Sequence, residues 1–313
     1  MNELQPGKSL TIVTLEELLD ISFRPREEIL GSLIMTQSLN MFYAWRGVGK
    51  THVAIGAAYA VATGSRFLKW KTPKPRGVLY LDGEMPGVAL QERLQAVVEA
   101  NGKDPPPGFF KIATPDLQQH GVMPDLATQE GQSAVDAMIT PEIELIVVDN
   151  ISCLCRSGKE NESESWIPVQ GWALKQRAAG RAVLFIHHSG KNGEQRGASK
   201  REDILDTVVK LKRPANYDPG LGAAFELIFE KARHLKGSDT SSIEARLTVN
   251  EETELQEWVY KDTALSTFDR VVDLANAGFS QVEIASELQI NKSNVCRHLK
   301  KAVEQGLIQV SMK

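Results

Sequence analysis

The chain is poor in the features that mark membranes, metal frameworks and oxidising compartments. It has three cysteines in 313 residues. Cys153 and Cys155 share one short stretch, Cys296 lies far from them, and no Cys-His spacing suggests zinc. No run of about 18 apolar residues occurs, and Met1 to Thr11 lacks the apolar centre of a signal peptide. A reducing, cytoplasmic setting with no membrane contact is therefore expected. An excess of basic charge is also lacking: the net charge of −4 argues against a cationic coat over the whole surface. Any contact with nucleic acid must come from local patches.

What is present is an ordinary globular balance, 42% hydrophobic and 24% charged, in a length that suits one large α/β domain and one small one. Residues 41–52 organise it: Met-Phe-Tyr-Ala-Trp-Arg-Gly-Val-Gly-Lys-Thr-His. The apolar run Leu39 to Tyr43 predicts a short strand and Val53 to Ala62 a helix, with a glycine-bearing loop between them. That order is the one a phosphate-binding loop requires. Gly47 and Gly49 let successive backbone N–H groups turn inward, Lys50 can reach the β- and γ-phosphates of a nucleotide, and the Thr51 hydroxyl can bind Mg2+. Arg46, Val48 and His52 complete the expected nucleotide-contacting set, at a helix N-terminus that favours an anion. The usual pattern opens on a glycine where this chain has Ala44, which an alanine can replace if its φ is negative.

Around this loop, residues 1–38 read as a lead-in arm, with Thr14-Leu-Glu-Glu17 a capping box before a short helix. Val78 to Leu81 predicts a buried strand running into Asp82-Gly83-Glu84-Met85-Pro86, so acidic groups stand at a strand's carboxyl end, where ligands gather in doubly wound sheets. Helices are expected over Val88 to Glu99, Leu126 to Ile139 and Trp166 to Ala179, and a strand over Phe109 to Ala113. Glu144-Leu-Ile-Val-Val-Asp149 is the clearest buried strand, and it has the form in which the Asp149 carboxylate holds Mg2+ through its water shell. Ala182 to Ile186 is another, ending in His187-His188. Adjacent strand residues face opposite ways, so one histidine should face a nucleotide while the other packs. Asp206 to Leu211, Ala224 to Glu230, Ile243 to Val249 and Gln256 to Tyr260 read as strands of an antiparallel extension to a largely parallel sheet.

A polar stretch over 261–266 divides the chain into an arm (1–38), an α/β domain (39–260) and a small helical domain (261–313). In the last, helices over Phe268 to Ala277, from the Ser280-Gln-Val-Glu283 capping box to Glu287, and over Lys292 to Gln305 have the spacing of a helix-turn-helix. Val282, Ile284, Ala285, Leu288, Ile290, Val295 and Leu299 supply its apolar contacts, and Leu307 to Val310 would add the strand of a winged version. Ser293, Asn294, Arg297, Lys300 and Lys301 fall away from the apolar stripe and form a face suited to DNA bases and phosphates. The other reading of these helices is a dock for a protein partner.

The loop Tyr43 to His52, the Val78 to Pro86 strand with its Glu84, the Asp149 strand, the His187-His188 pair and Lys231-Ala-Arg233 together resemble the RecA-like ATPases of the RepA and DnaB type, over about residues 10–260. These are hexameric motors of plasmid, phage and bacterial replication. The resemblance implies a RecA-like P-loop core, ATP and Mg2+ as ligands, a homo-oligomeric ring and a DNA partner. It puts the catalytic base at Glu84, with Asp82 as competitor, and the γ-phosphate sensor at His188, or His187 if the register slips. Arg196 resembles the RepA arginine supplied to the neighbouring subunit's nucleotide, and Lys231 and Arg233 the Lys-x-Arg pair of DnaB relatives. A helix-turn-helix is not part of the plain RepA pattern, so ATP hydrolysis carries over more directly than unwinding; the alternative is a DNA-binding regulator in which ATP only switches oligomeric state.

Overall fold

The computed structural model describes residues 10–156, 162–189, 203–214, 217, 222–235, 237–288 and 290–308. The chain opens with helix α1 (Leu15–Asp20), the hairpin β1 (Glu28–Leu30) and β2 (Ile34–Met35), strand β3 (Leu39–Ala44) and helix α2 (Lys50–Thr63). A small ribbon, β4 (Arg66–Phe67) and β5 (Trp70–Lys71), leads to β6 (Gly77–Asp82), α3 (Gly87–Asn101), β7 (Phe110–Ala113), α4 (Gln129–Asp136) and β8 (Ile143–Asp149). Then come α5 (Ile151–Leu154), α6 (Glu162–Ala178), β9 (Ala182–His188), β10 (Thr207–Lys212), β11 (Ala224–Ala232), β12 (Ile243–Val249) and β13 (Gln256–Asp262). Helices α7 (Thr263–Asn276), α8 (Gln281–Glu287) and α9 (Lys292–Glu304) close it.

Nine strands form one sheet in the order β13-β12-β11-β10-β3-β9-β8-β6-β7. From β10 to β7 the neighbours run parallel, and from β10 to β13 they run antiparallel. This is the α/β architecture expected from the sequence, a largely parallel sheet with an antiparallel edge. The glycine-loop strand β3 lies at the centre, and β9 separates it from β8, so Lys50, Asp149 and the end of β6 open on the same edge. Both faces of the sheet are covered, which is why its strands read as continuous apolar runs. Along β3 the side chains alternate: Phe42 and Ala44 join the core under α2, while Leu39, Met41 and Tyr43 join the core under α6. Helix α2 is buried from Val53 to Thr63, and α6 contributes Trp166, Val169, Trp172 and Ala173 at 2% exposure or less. Each large apolar side chain so buried contributes about 1.5–3 kcal/mol.

The lead-in differs from expectation. Ile29, Leu30, Leu33 and Ile34 are fully buried in the core with α2, so the hairpin is part of the domain and the arm ends before it. Its ends are tied by charge: the buried Arg76 bridges Glu27, at 2.7 Å, and Glu144. Hydrogen bonds from Arg76 and then Lys74 hold the Glu27 carboxyl down to about 2. Ahead of it, α1 has the expected Thr14–Glu17 capping box but buries nothing; Leu15, Leu18 and Leu19 are exposed.

Helix α4 is shorter than expected, because Thr128 caps it through the Gly131 amide and Leu126 is held by a backbone bond to Leu154. The polar stretch at 261–266 is not a linker in the structure: β13 continues to Asp262 and α7 starts at Thr263. The three terminal helices pack through Val271, Ile284 and Val295, with Leu288, Ile290 and Leu299 partly buried beside them. Val282, expected in this stripe, is 60% exposed. Leu307 and Ile308 form no strand, and Gln309 and Val310 lie outside the described residues.

Candidate functional site

The loop after β3 has the shape its glycines foretell. Gly47 and Gly49 take left-handed φ values of 74° and 109°, and a Cβ on Gly49 would stand 2.8 Å from the Ala223 Cβ. Ala44 is the last residue of β3, buried and extended, so it needs no glycine. Lys50 opens α2, and its ammonium donates to the carbonyls of Ala44 and Trp45, both at 3.1 Å. Burial pulls this amine down to about 8, although the charges of Asp149 and Glu84 oppose it. Arg213, just after β10, donates to the Gly47 carbonyl at 3.3 Å and stacks 4.6 Å from the Tyr217 ring.

A cleft of about 420 Å3 lies here, lined by Gly47, Gly49, Lys50, Thr51, His52, Glu84, Met85, Arg93, Asp149, His188, Tyr217, Gly222 and Ala223. Asp149, at the end of β8, accepts a hydrogen bond from the Tyr80 hydroxyl at 2.7 Å and another from Thr51. Burial nevertheless pushes its carboxyl up to about 6. Burial also takes His52 down to about 4, with the Arg93 charge adding to it. The second acid, Asp82, is buried and fully engaged: Thr114 donates to it at 2.9 Å, and the Glu84 and Met85 amides at 3.4 and 3.3 Å. It pins the turn that presents Glu84.

Glu84 itself is half exposed, with its Oε2 taking a hydrogen bond from Asn150 Nδ2 at 2.9 Å, another from Cys153 at 3.3 Å, and standing 3.9 Å from His188 Nε2. Burial alone would raise this carboxyl, but the hydrogen bonds from Asn150 and Cys153 and the charge of Lys50 hold it below the usual range. His188 is lowered by burial and by Lys50, so the ring is neutral near pH 7. His187, on the opposite face, is buried away from the cleft.

The residues fit a nucleotide and its metal. The left-handed glycines and the α2 N-terminus offer amides to phosphates, and the Lys50 ammonium, now satisfied by carbonyls, is a buried cation seeking an anion. Among the described residues no group of three or more His, Cys, Asp or Glu can hold a metal ion by itself. Thr51 and Asp149 would thus share Mg2+ with water and phosphate oxygens, the arrangement this ion favours.

Comparison with known proteins gives the family. A family model described as an AAA domain matches residues 5–194, more than half of the chain. The chain belongs to that AAA domain family. A solved structure, a KaiC-like protein from the hyperthermophilic archaeon Pyrococcus horikoshii, matches at 13% identity over 75% of this chain and 99% of that one, with a TM-score of 0.49. No curated protein matches the sequence.

Of the residues singled out from the AAA-domain sequence, Gly47, Gly49, Lys50, Thr51, His52, Asp149, Glu84 and His188 meet at one cleft. Val48 is buried beneath the loop and Arg46 lies at its exposed rim. Lys231 and Arg233 do not line the cleft; both donate to the Asp203 carbonyl, at 3.4 and 2.8 Å. Arg196 lies outside the described residues. Sequence reasoning missed Tyr80, Asn150, Cys153 and Arg93. Asn150 follows Asp149 directly, so a polar residue continuing a buried strand past its acid was the signal available for it. Tyr80 and Arg93 sit within an apolar run and an amphipathic helix and gave none.

In the terminal domain Ser293, Arg297, Lys300 and Lys301 are exposed and Asn294 is half-buried. Arg297 donates to the side-chain Oδ1 of Asn294 at 3.1 Å, and Lys301 stands 5.0 Å over the Phe268 ring.

Proposed function

We propose that this chain is an ATP-hydrolysing, ring-forming motor of the RepA type, directed to DNA by its terminal helix-turn-helix. The observation that carries the catalytic part is the meeting of Glu84, in the turn after β6, and His188, at the end of β9, 3.9 Å apart at the rim of the phosphate loop. In this reading the glycine-loop amides and Lys50 hold the phosphates, and Thr51 and Asp149 hold Mg2+. Held there, the ion would supply neutralisation of phosphate charge. Glu84, ionised and partly open to water, orients and deprotonates the attacking water, while His188 reports the γ-phosphate. Asp82 is spent on its three hydrogen bonds, which supports Glu84 as the base.

Support for a ring comes from the exposed apolar residues of the arm, Leu10, Ile12, Leu15, Leu19 and Phe23, all more than 60% exposed and suited to cover by a neighbouring copy. A basic residue donated across that interface, Arg233 with Lys231 or Arg196, would neutralise charge developing in phosphoryl transfer. Mixing a Lys50→Ala subunit with an Arg233→Ala subunit tests this: recovered hydrolysis supports donation in trans, and none at any ratio in exchanging subunits rejects it for Arg233. The same mixture with Arg196→Ala decides between the two.

Support for DNA comes from α9, where Lys292, Arg297, Lys300 and Lys301 outnumber the single Glu304 in an acidic chain. Asn294 and Arg297 suit base edges and the lysines suit phosphates. Deleting 263–313 should abolish site-selective duplex binding and leave basal ATP hydrolysis, and Arg297→Ala should cost about 1–3 kcal/mol at one base position. Unchanged DNA affinity and preference after the deletion would reassign these helices to a protein partner. Unwinding of a forked duplex separates the motor from an ATP-switched regulator.

A further inference from the structure

We propose that Asn150 is a positioning residue of the hydrolytic site, whose one amide nitrogen ties the Glu84 carboxylate to the His188 ring. This rests on the reading of Glu84 as base and His188 as sensor given above. Asn150 precedes α5 in extended backbone (φ −127°, ψ 171°), the place where an asparagine side chain ordinarily accepts from the first helical amides. Here it makes no such bond. The side chain turns into the site instead, 1% exposed, with Nδ2 2.9 Å from Glu84 Oε2 and 3.2 Å from His188 Nε2.

The orientation of the amide follows from its partners. An ionised carboxylate only accepts, so Nδ2 and not Oδ1 must face Glu84. The second hydrogen of that nitrogen then points at His188 Nε2, which must present its lone pair. The proton of the neutral ring is therefore on Nδ1. Asn150 Oδ1 and His188 Nδ1 are both buried with no hydrogen-bond partner among the described residues, a cost that a residue serving structure alone would not be expected to carry. With both groups on one nitrogen, a shift of His188 toward a phosphate is felt by Glu84 without further intermediaries. The other charged or titratable groups facing Glu84 are Lys50 from α2, Asp82 from its own strand, Asp149 from β8 and Cys153 from α5.

The first test uses the full-length wild-type chain without nucleotide. Ring 15N shifts of histidine-labelled protein, assigned against His188→Gln, should show His188 protonated on Nδ1; protonation on Nε2 would overturn the proposal. The second uses Asn150→Ala, or Asn150→Ser should the alanine variant fail to fold. We expect kcat to fall by about 10- to 100-fold, as for other residues that orient a reacting group. Affinity for a fluorescent ATP analogue should stay within about threefold, and the acid limb of the kcat/KM profile should move to higher pH as Glu84 loses its strongest donor. A full-rate Asn150→Ala beside an inactive Glu84→Gln overturns the coupling alone, whereas a full-rate Glu84→Gln sinks the base assignment on which it rests.

Discussion

Replacing Lys50 by methionine should move stability and binding in opposite directions. The side chain is 6% exposed, and its amine falls from 10.5 to about 8 because burial strips its water. At about 1.36 kcal/mol per pKa unit, holding the charge at pH 7 costs the nucleotide-free protein about 3 kcal/mol. Methionine fills much the same volume without the charge. The two lost bonds to the Ala44 and Trp45 carbonyls offset about 1 kcal/mol each, so a gain of about 1 kcal/mol remains, or roughly 2 °C in Tm for a chain of this size. The folded-state pKa lies below the unfolded one, so the penalty is fully present below pH 8 and fades as pH rises toward 10.5. The advantage of Lys50→Met should shrink over that window. Denaturant melts from pH 7 to 10, with and without ATP and Mg2+, provide the assay. The variant should also lose the stabilisation ATP gives the wild type. A variant less stable than wild type at pH 7, or one still stabilised by ATP, would refute the reading of Lys50 as a stored cation awaiting phosphate.

Other outcomes follow from single contacts. Gly49→Ala must place a Cβ 2.8 Å from Ala223 at a φ of 109°, so it should cost about 1–3 kcal/mol in stability, seen by thermal melts, and weaken nucleotide binding seen by titration. Tyr80→Phe removes a donor from Asp149 and should weaken Mg2+-dependent nucleotide binding by about 10- to 100-fold, while metal-free binding changes less. Glu27 has a folded pKa of about 2 against 4.5 in the free side chain, so its contribution is present above pH 4.5 and is lost as pH falls toward 2. Glu27→Gln should therefore flatten acid denaturation in that window, and Arg76→Met should do the same.

Much of this was readable from residue order because buried parallel strands advertise themselves. Val78 to Leu81, Leu145 to Val148 and Ala182 to Ile186 are unbroken apolar runs, and each ends at a site residue or just before one. The glycine spacing set the loop, and the alternation rule put one histidine of the His187-His188 pair toward the cleft and the other in the core; the resemblance named His188, with His187 as the alternative. The hairpin at 28–35 was missed because strands of three and two residues carry no period, and their burial depends on α2 packing above them. The start of α4 was missed because Leu126 and Ala127 continue a helical pattern that Thr128 interrupts by capping. Cys153 was missed for a different reason: it meets Glu84 across 69 residues, and no local pattern encodes that; for Asn150, 66 residues from Glu84, the one local signal was its place directly after Asp149.

The most direct measurement compares ATP binding with single-turnover hydrolysis in Glu84→Gln and Lys50→Ala. In the proposed reading Lys50 would contact ground-state phosphates, whereas a base at Glu84 would act only as water attacks. Glu84→Gln should bind ATP with near wild-type affinity and release essentially no phosphate, and Lys50→Ala should fail to bind. Equal loss of binding in both, or phosphate release by Glu84→Gln at the wild-type rate, would contradict the assignment; loss of turnover confined to Asp82→Asn would transfer the role of base to Asp82.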